Sequence, residues 1–146
     1  MNNHTFLYND GLWIVTGGYW DENGVRFESD GETRVIHTDG LWFIKGIMHV
    51  HSNPPTEYDN QYEVDPFLNN FPTTVWVSHS PVLGQLKGTF TVVEKAILSS
   101  FAGEDPSYTG FEFFMKIDNA TYYNEGAFYK GKRRLSSWAL TMKKTD

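Results

Sequence analysis

The chain has 146 residues, no cysteine and a net charge of −6 with neutral histidines. A chain of this length forms one domain with a sizeable core, so we expect a single domain over residues 1–146. Without cysteine, disulfides and thiol chemistry are excluded. The negative charge argues against general nucleic-acid binding, and no apolar stretch approaches the roughly 20 residues that span a bilayer. The N-terminus lacks a secretory signal pattern, so we expect a cytoplasmic protein.

Tight-turn dipeptides separate stretches of alternating apolar and polar residues along the chain. Asn23-Gly24 and Asp39-Gly40 supply the positive φ angles of two-residue hairpins. The segment from Ser52 to Pro72 is predicted to be mostly loop, because proline cannot donate to a strand ladder. We predict strands over 11–20, 25–37, 41–50, 61–64, 74–80, 86–93, 96–101, 108–117, 121–129 and 135–143. Since no turn is obvious between Val92 and Phe101, one long bent strand there is an alternative.

The Asp39-Gly40 turn predicts the register of the second hairpin. A two-residue turn places His37 opposite Trp42 and Val35 opposite Ile44, all on the inner face. The side chains of His49 and His51 then point outward near a strand end. A His-x-His pair is typical of metal ligands, but this outward orientation leads us to expect no metal.

The Asn23-Gly24 turn predicts the register of the first hairpin. If its loop has two residues, Trp20 lies opposite Phe27 on the inner face. Trp13 then lies on the outer face, opposite Arg34. This register agrees with the second hairpin about which side chains of the shared strand point inward, and a slip of one residue would reverse them.

The C-terminal third predicts a similar meander. A tight turn at Asn119-Ala120 directs Glu112 and Lys116 to water, and a three-residue turn at 131–133 places a tryptophan opposite Gly126, where glycine leaves room for a large ring. The predicted inner face carries Phe113, Tyr122, Asn124 and Trp138.

These hairpin-linked strands predict an all-β fold, a single antiparallel up-and-down barrel of eight to ten strands, because closure removes exposed strand edges. A two-sheet sandwich is the alternative. Gly11-Leu12-Trp13 resembles the G-x-W signature that opens the first strand of calycins, which include lipocalins, fatty-acid-binding proteins and avidins. The resemblance implies a barrel around a cavity for a small, mostly apolar ligand. It also implies a basic side chain from a late strand packed across the tryptophan, a place for Arg133 or Arg134.

The surplus of aromatic residues together with a few inward polar groups predicts a small-molecule pocket. We expect non-catalytic binding of a small apolar or amphipathic molecule, with no cofactor, and with the 52–72 loop as a lid. The expected ligand-binding residues are Trp20, Phe27, His37, Trp42, Phe113, Tyr122, Asn124 and Trp138. Two alternatives remain open: a cofactor-free enzyme with His37 or His79 as general base, and an interaction module with a packed core.

Overall fold

The computed structural model describes residues 3–81 and 83–145, in which ten strands form one closed antiparallel barrel. Each strand pairs with its neighbours in sequence, and β1 pairs with β10 to close the barrel. This confirms the predicted all-β up-and-down barrel and is consistent with a calycin-like fold. No helix among the described residues has the length and apolarity to cross a lipid bilayer. The strands are β1 Gly11–Trp20, β2 Arg26–Thr38, β3 Leu41–Val50, β4 Thr56–Val64, β5 Thr73–Ser80, β6 Gly84–Val93, β7 Ala96–Gly103, β8 Tyr108–Asp118, β9 Thr121–Lys130 and β10 Arg133–Thr145.

The predicted register of the β2–β3 hairpin is confirmed. His37 lies opposite Trp42 and Val35 opposite Ile44, and Val35 and Ile44 are both buried in the core. Gly40 has the positive φ of 80° that the two-residue turn requires.

The predicted register of the β1–β2 hairpin is wrong by one residue. The carboxylate of Asp21 accepts hydrogen bonds from the backbone N–H groups of Asn23 and Val25, which closes a longer loop over 21–25. The extra residue reverses the two faces of β1, as any one-residue slip in a strand must. Trp13 is therefore fully buried, opposite Thr33 rather than Arg34.

The predicted face of β8 is also wrong. The turn at Asn119-Ala120 forms as expected, but the β8–β9 register shifts between Lys116 and Asp118. Such a bulge inserts one unpaired residue, here Ile117, and reverses every side chain beyond it. Glu112 and Phe114 are consequently buried, whereas Phe111 is 54% exposed.

Two predictions about strand limits need correction. β4 runs over Thr56–Val64 instead of 61–64, because Pro54, Pro55 and Pro66 flank a proline-free stretch that pairs with β3 along its whole length. The long bent strand is not formed. Glu94 adopts a φ of 55° and the chain turns between β6 and β7.

Candidate functional site

The N-terminal segment, residues 4–9, closes one end of the barrel. Phe6 and Leu7 are fully buried in the core, and the ring of Phe6 stacks on Phe114 with centroids 4.7 Å apart. The edge of Phe6 also meets Trp13 at 5.6 Å. Because this end is closed, access to the barrel interior remains at the other end, which carries the loops 21–25, 51–55 and 104–107.

Tyr122 fixes this segment through its hydroxyl group. The hydroxyl accepts hydrogen bonds from the backbone N–H groups of Thr5 at 3.1 Å and Phe6 at 3.4 Å. His4 donates from Nε2 to the Glu94 carbonyl at 2.9 Å, so its Nδ1 accepts from the Tyr122 hydroxyl at 2.6 Å. Burial lowers the pKa of His4, the backbone bond to Glu94 opposes this, and nearby positive charge adds to the lowering. The segment is therefore held by a neutral histidine.

Above the closed end, the barrel contains a cavity of about 270 Å³. This lies just below the range of about 300–1,000 Å³ that is common for ligand pockets. Its wall is mainly apolar and aromatic. Representative apolar lining residues are Val15, Ile44, Met48, Leu86, Phe90, Phe101, Phe114, Phe128, Trp138, Leu140 and Met142, and the polar ones are Tyr19, Ser29, Thr33, Tyr58, Asn60, Tyr62, Glu112, Asn124 and Ser136.

Glu112 forms the polar centre of the cavity wall. Glu112 lies opposite Gly126, which lies opposite Trp138 on the next strand. A Cβ atom at Gly126 would come within 2.5 Å of the Trp138 ring and 2.7 Å of the Glu112 Cβ. The glycine therefore allows the indole N–H of Trp138 to hydrogen-bond to the Glu112 carboxylate across β9. Asn124 donates from Nδ2 to the same carboxylate at 3.0 Å and to the Phe113 carbonyl at 3.1 Å.

The carboxyl group of Glu112 titrates near neutrality. Burial raises its pKa from 4.5 to about 7, although the hydrogen bonds from Asn124 and Trp138 favour the charged form. Tyr62 lines the same cavity and packs on Trp76 at 4.6 Å. Burial, and then the charge of Glu112, raise the pKa of Tyr62, so its hydroxyl remains protonated. The cavity thus combines a titratable acid with a protonated phenol, a group able to donate a hydrogen bond.

The cavity is less tightly closed towards the β4–β5 junction. β4 pairs with β5 only over Tyr62–Val64, whereas it pairs with β3 from Thr56 to Val64. Tyr58, in the unpaired half, is 42% exposed and also lines the cavity. Its hydroxyl lies 3.4 Å from that of Tyr19 across the barrel. These two tyrosines therefore mark the accessible edge of the cavity.

The structure brings two of the expected ligand-binding residues to the cavity, Asn124 and Trp138. Three others lie at the closed end and do not line it. Tyr122 holds the N-terminal segment. His37 stacks on Trp42 with ring centroids 4.0 Å apart, and its Nε2 donates to the Leu7 carbonyl at 2.7 Å.

The remaining three expected residues lie elsewhere. Trp20 is on the outer face, where the Arg26 guanidinium lies 5.6 Å from its ring centroid. Phe113 is on the outer face of β8, opposite Leu98, because of the bulge. Phe27 lies opposite Tyr19 near the open end and does not line the cavity.

The other candidate residues do not form a second site. His79 is exposed, and the outward pair His49 and His51 bind separate carboxylates, Glu57 at 3.4 Å and Asp30 at 2.6 Å. Within the described ranges, no group of three His, Cys, Asp or Glu side chains is placed to hold a metal ion.

The lid and the basic partner of the tryptophan also differ from expectation. In the 52–72 region, Phe67 stacks on Tyr8 at 4.8 Å, so this part covers the closed end of the barrel. Arg133 pairs with Glu22 at 3.9 Å and begins β10 at the open end, far along that strand from Trp13. The basic residue directly opposite Trp13 is Lys144.

Glu112 is the residue that sequence reasoning missed. The run Phe111 to Met115 carries apolar side chains on both faces, so alternation alone does not determine which face is buried. The available signal was Gly126, a strand glycine that accommodates large groups from both neighbouring strands. Gly126 predicts the placement of Trp138 on one neighbouring strand, and Glu112 is the residue opposite Gly126 on the other neighbouring strand.

Comparisons with known proteins give no functional relative. No family model matches the chain, and no curated protein matches it. Among solved structures, the chain is similar to an N-terminal dehydratase from the difficidin assembly line at 8% sequence identity, with 91% of this chain and 78% of that chain covered and a TM-score of 0.28. A likeness at this level carries no argument about activity.

Proposed function

We propose that the protein binds a small, mainly apolar molecule non-covalently inside the barrel. The observation that carries this proposal is the cavity of about 270 Å³, whose wall is mostly hydrocarbon and aromatic with Glu112 at its centre. Ligand sites in proteins combine such an apolar wall with a few polar groups that orient the ligand. A compact ligand with one polar substituent fits this pattern.

The closed end of the barrel supports a calycin-type interpretation. Trp13 is buried on the first strand beneath the N-terminal segment, and Lys144 of the last strand lies opposite it on the same face. The G-x-W resemblance implies a basic side chain of a late strand across the tryptophan, and the position of Lys144 supports lysine in this role rather than Arg133 or Arg134. The proposed ligand would therefore enter from the opposite end, near Tyr19 and Tyr58.

Calorimetric titration with 1-adamantanol tests the proposal, because this compact hydrocarbon cage carries a single hydroxyl group. We expect saturable binding, accompanied by a change in tryptophan fluorescence from Trp138. Gly46 lines the cavity, and a Cβ atom there meets nothing closer than 3.4 Å. Gly46→Leu should therefore place its side chain in the cavity and abolish binding, while circular dichroism reports an intact barrel. Wild-type protein that fails to bind this probe and related compact apolar molecules would refute the proposal.

A second candidate function is proton-transfer catalysis without a cofactor. The observation that favours it is the pKa of about 7 for Glu112, which suits a general acid or base at neutral pH. The histidines do not support this role, since His37 and His79 lie outside the cavity. Exchange of the α-hydrogens of cyclohexanone in D₂O, followed by NMR, tests this candidate. Wild type should accelerate exchange above the Glu112→Gln variant, and equal rates would exclude it.

A further inference from the structure

We infer that the ligand of this cavity is a lipophilic amine, whose ammonium group pairs with Glu112 while its hydrocarbon body occupies the apolar wall. This inference rests on the proposed binding function and adds the charge of the ligand to it. It distinguishes the cavity from one that is built to hold a fatty acid or another organic anion.

The charge of the cavity is the first line of support. Of the described residues that line it, Glu112 alone carries a charged side chain, and none is Lys, Arg or His. Glu112 is only 9% exposed, and its two hydrogen-bond donors, Asn124 and Trp138, are neutral. A buried carboxylate is unfavourable unless a cation pairs with it. Since the protein supplies no such cation within the cavity, a cationic ligand would complete the site.

The aromatic wall is the second line of support. Trp138, Phe101, Phe128 and Tyr62 line the same cavity as the carboxylate. The faces of aromatic rings attract cations, and ammonium ligands are recognised in this way in many proteins. A ligand carboxylate or phosphate would instead meet the negative charge of Glu112 with no compensating base. The site therefore favours cations over neutral molecules and disfavours anions.

Three probes with the same hydrocarbon cage separate shape from charge: 1-aminoadamantane, 1-adamantanol and adamantane-1-carboxylic acid. At pH 8, where Glu112 is largely ionised, we expect the amine to bind roughly tenfold or more tightly than the alcohol. The carboxylic acid should bind more weakly than the alcohol. In Glu112→Gln, the amine and the alcohol should bind with similar affinity. The matched control is Glu125→Gln, which removes an exposed carboxylate from the outer face of β9 and should preserve the preference for the amine.

The pH dependence gives an independent measurement. The amine must bind the ionised carboxylate, so its affinity should rise between pH 5 and pH 8, whereas that of the alcohol should not. The other titratable side chains that face the cavity are Tyr19 of β1 and Tyr58 and Tyr62 of β4. Burial raises the pKa of Tyr19 and of Tyr62, so neither hydroxyl loses its proton in this range.

The outcomes distinguish the two proposals. If the alcohol binds and the amine binds no more tightly, the inference about charge is overturned while the binding function stands. If the preference for the amine persists in Glu112→Gln, the inference is overturned as well. If none of the probes binds, the proposed function itself fails. Tight amine binding that is lost selectively in Glu112→Gln supports both.

Discussion

Replacing Glu112 by Gln should stabilise the protein at high pH. In the folded state burial raises the pKa of this carboxyl group from 4.5 to about 7, so the folded protein holds a proton that the unfolded chain has released. The contribution of Glu112 to stability is therefore greatest below about pH 4.5 and falls as the pH rises towards 7. One pKa unit corresponds to 1.36 kcal/mol, which makes the full loss about 3 kcal/mol. The neutral Gln side chain removes this loss and still accepts a hydrogen bond from Asn124.

Urea denaturation followed by tryptophan fluorescence, repeated from pH 4.5 to pH 8.5, measures this effect. The quantity to compare is the difference in the free energy of unfolding between Glu112→Gln and wild type, since other titrating groups cancel in it. That difference should grow by about 3 kcal/mol across the range. Glu125→Gln, on the exposed outer face, should change little with pH. If the difference in the free energy of unfolding between Glu112→Gln and wild type is constant with pH, the carboxyl group of Glu112 is not buried and titrating as proposed.

Three further changes test the packing around the site. Gly126→Ala should destabilise the protein by about 1–3 kcal/mol, because the new methyl group overlaps Trp138. Its control, Gly46→Ala, should be tolerated, because the new methyl group has no contact below 3.4 Å. Equal midpoints of urea denaturation for the two variants would contradict this prediction. Tyr122→Phe should lower the free energy of unfolding by about 1–3 kcal/mol, since the buried N–H group of Phe6 and the partly buried N–H group of Thr5 lose their acceptor. An unchanged free energy of unfolding would be inconsistent with a closed end that Tyr122 holds. Burial lowers the pKa of His4 below 6.5, so the stability that His4 contributes should be complete above pH 6.5 and decrease as the pH falls. His4→Gln should remove this loss of stability at low pH. If the loss persists in the variant, His4 is not held in its neutral form.

The barrel itself follows from local signals in the sequence. Asp39-Gly40 is a true two-residue turn, so it determined the register of β2 and β3 and the burial of Val35 and Ile44. The prediction that Trp138 lies opposite Gly126 is confirmed, but the predicted three-residue turn at 131–133 is wrong. The chain turns over 131–132, and a register shift between Arg134 and Ser136 restores the predicted pairing. Alternation, turns and glycines therefore determine the architecture.

The two wrong predictions of strand register, for β1 and for β8, have a common physical origin. Hydrogen bonds to the Asp21 side chain close a first loop that is longer than predicted, and a bulge at Ile117 adds one residue to β8. Each adds a single residue, and a single residue exchanges the inner and outer faces of a strand. Trp13 and Glu112 were misplaced for this reason, and Glu112 is the centre of the site. Neither side-chain capping nor bulging leaves a distinct signal in the alternation of apolar residues.

The closed end was unpredictable for another reason. His4, Phe6 and Leu7 belong to no strand and gain their positions only through distant partners such as Tyr122 and Glu94. Such contacts, which span 90 residues or more of the sequence, are invisible to local patterns.

A crystal structure of the protein soaked with bromobenzene would locate the ligand, because its aryl C–Br bond is stable in water and the anomalous signal of bromine marks its position independently of the fitted coordinates. We predict one bromine peak inside the barrel, among Phe90, Trp138 and Leu140, with the Glu112 carboxyl group beside the ring. A barrel interior filled by its own side chains, with bromine absent or bound only on the outer surface, would contradict the binding function.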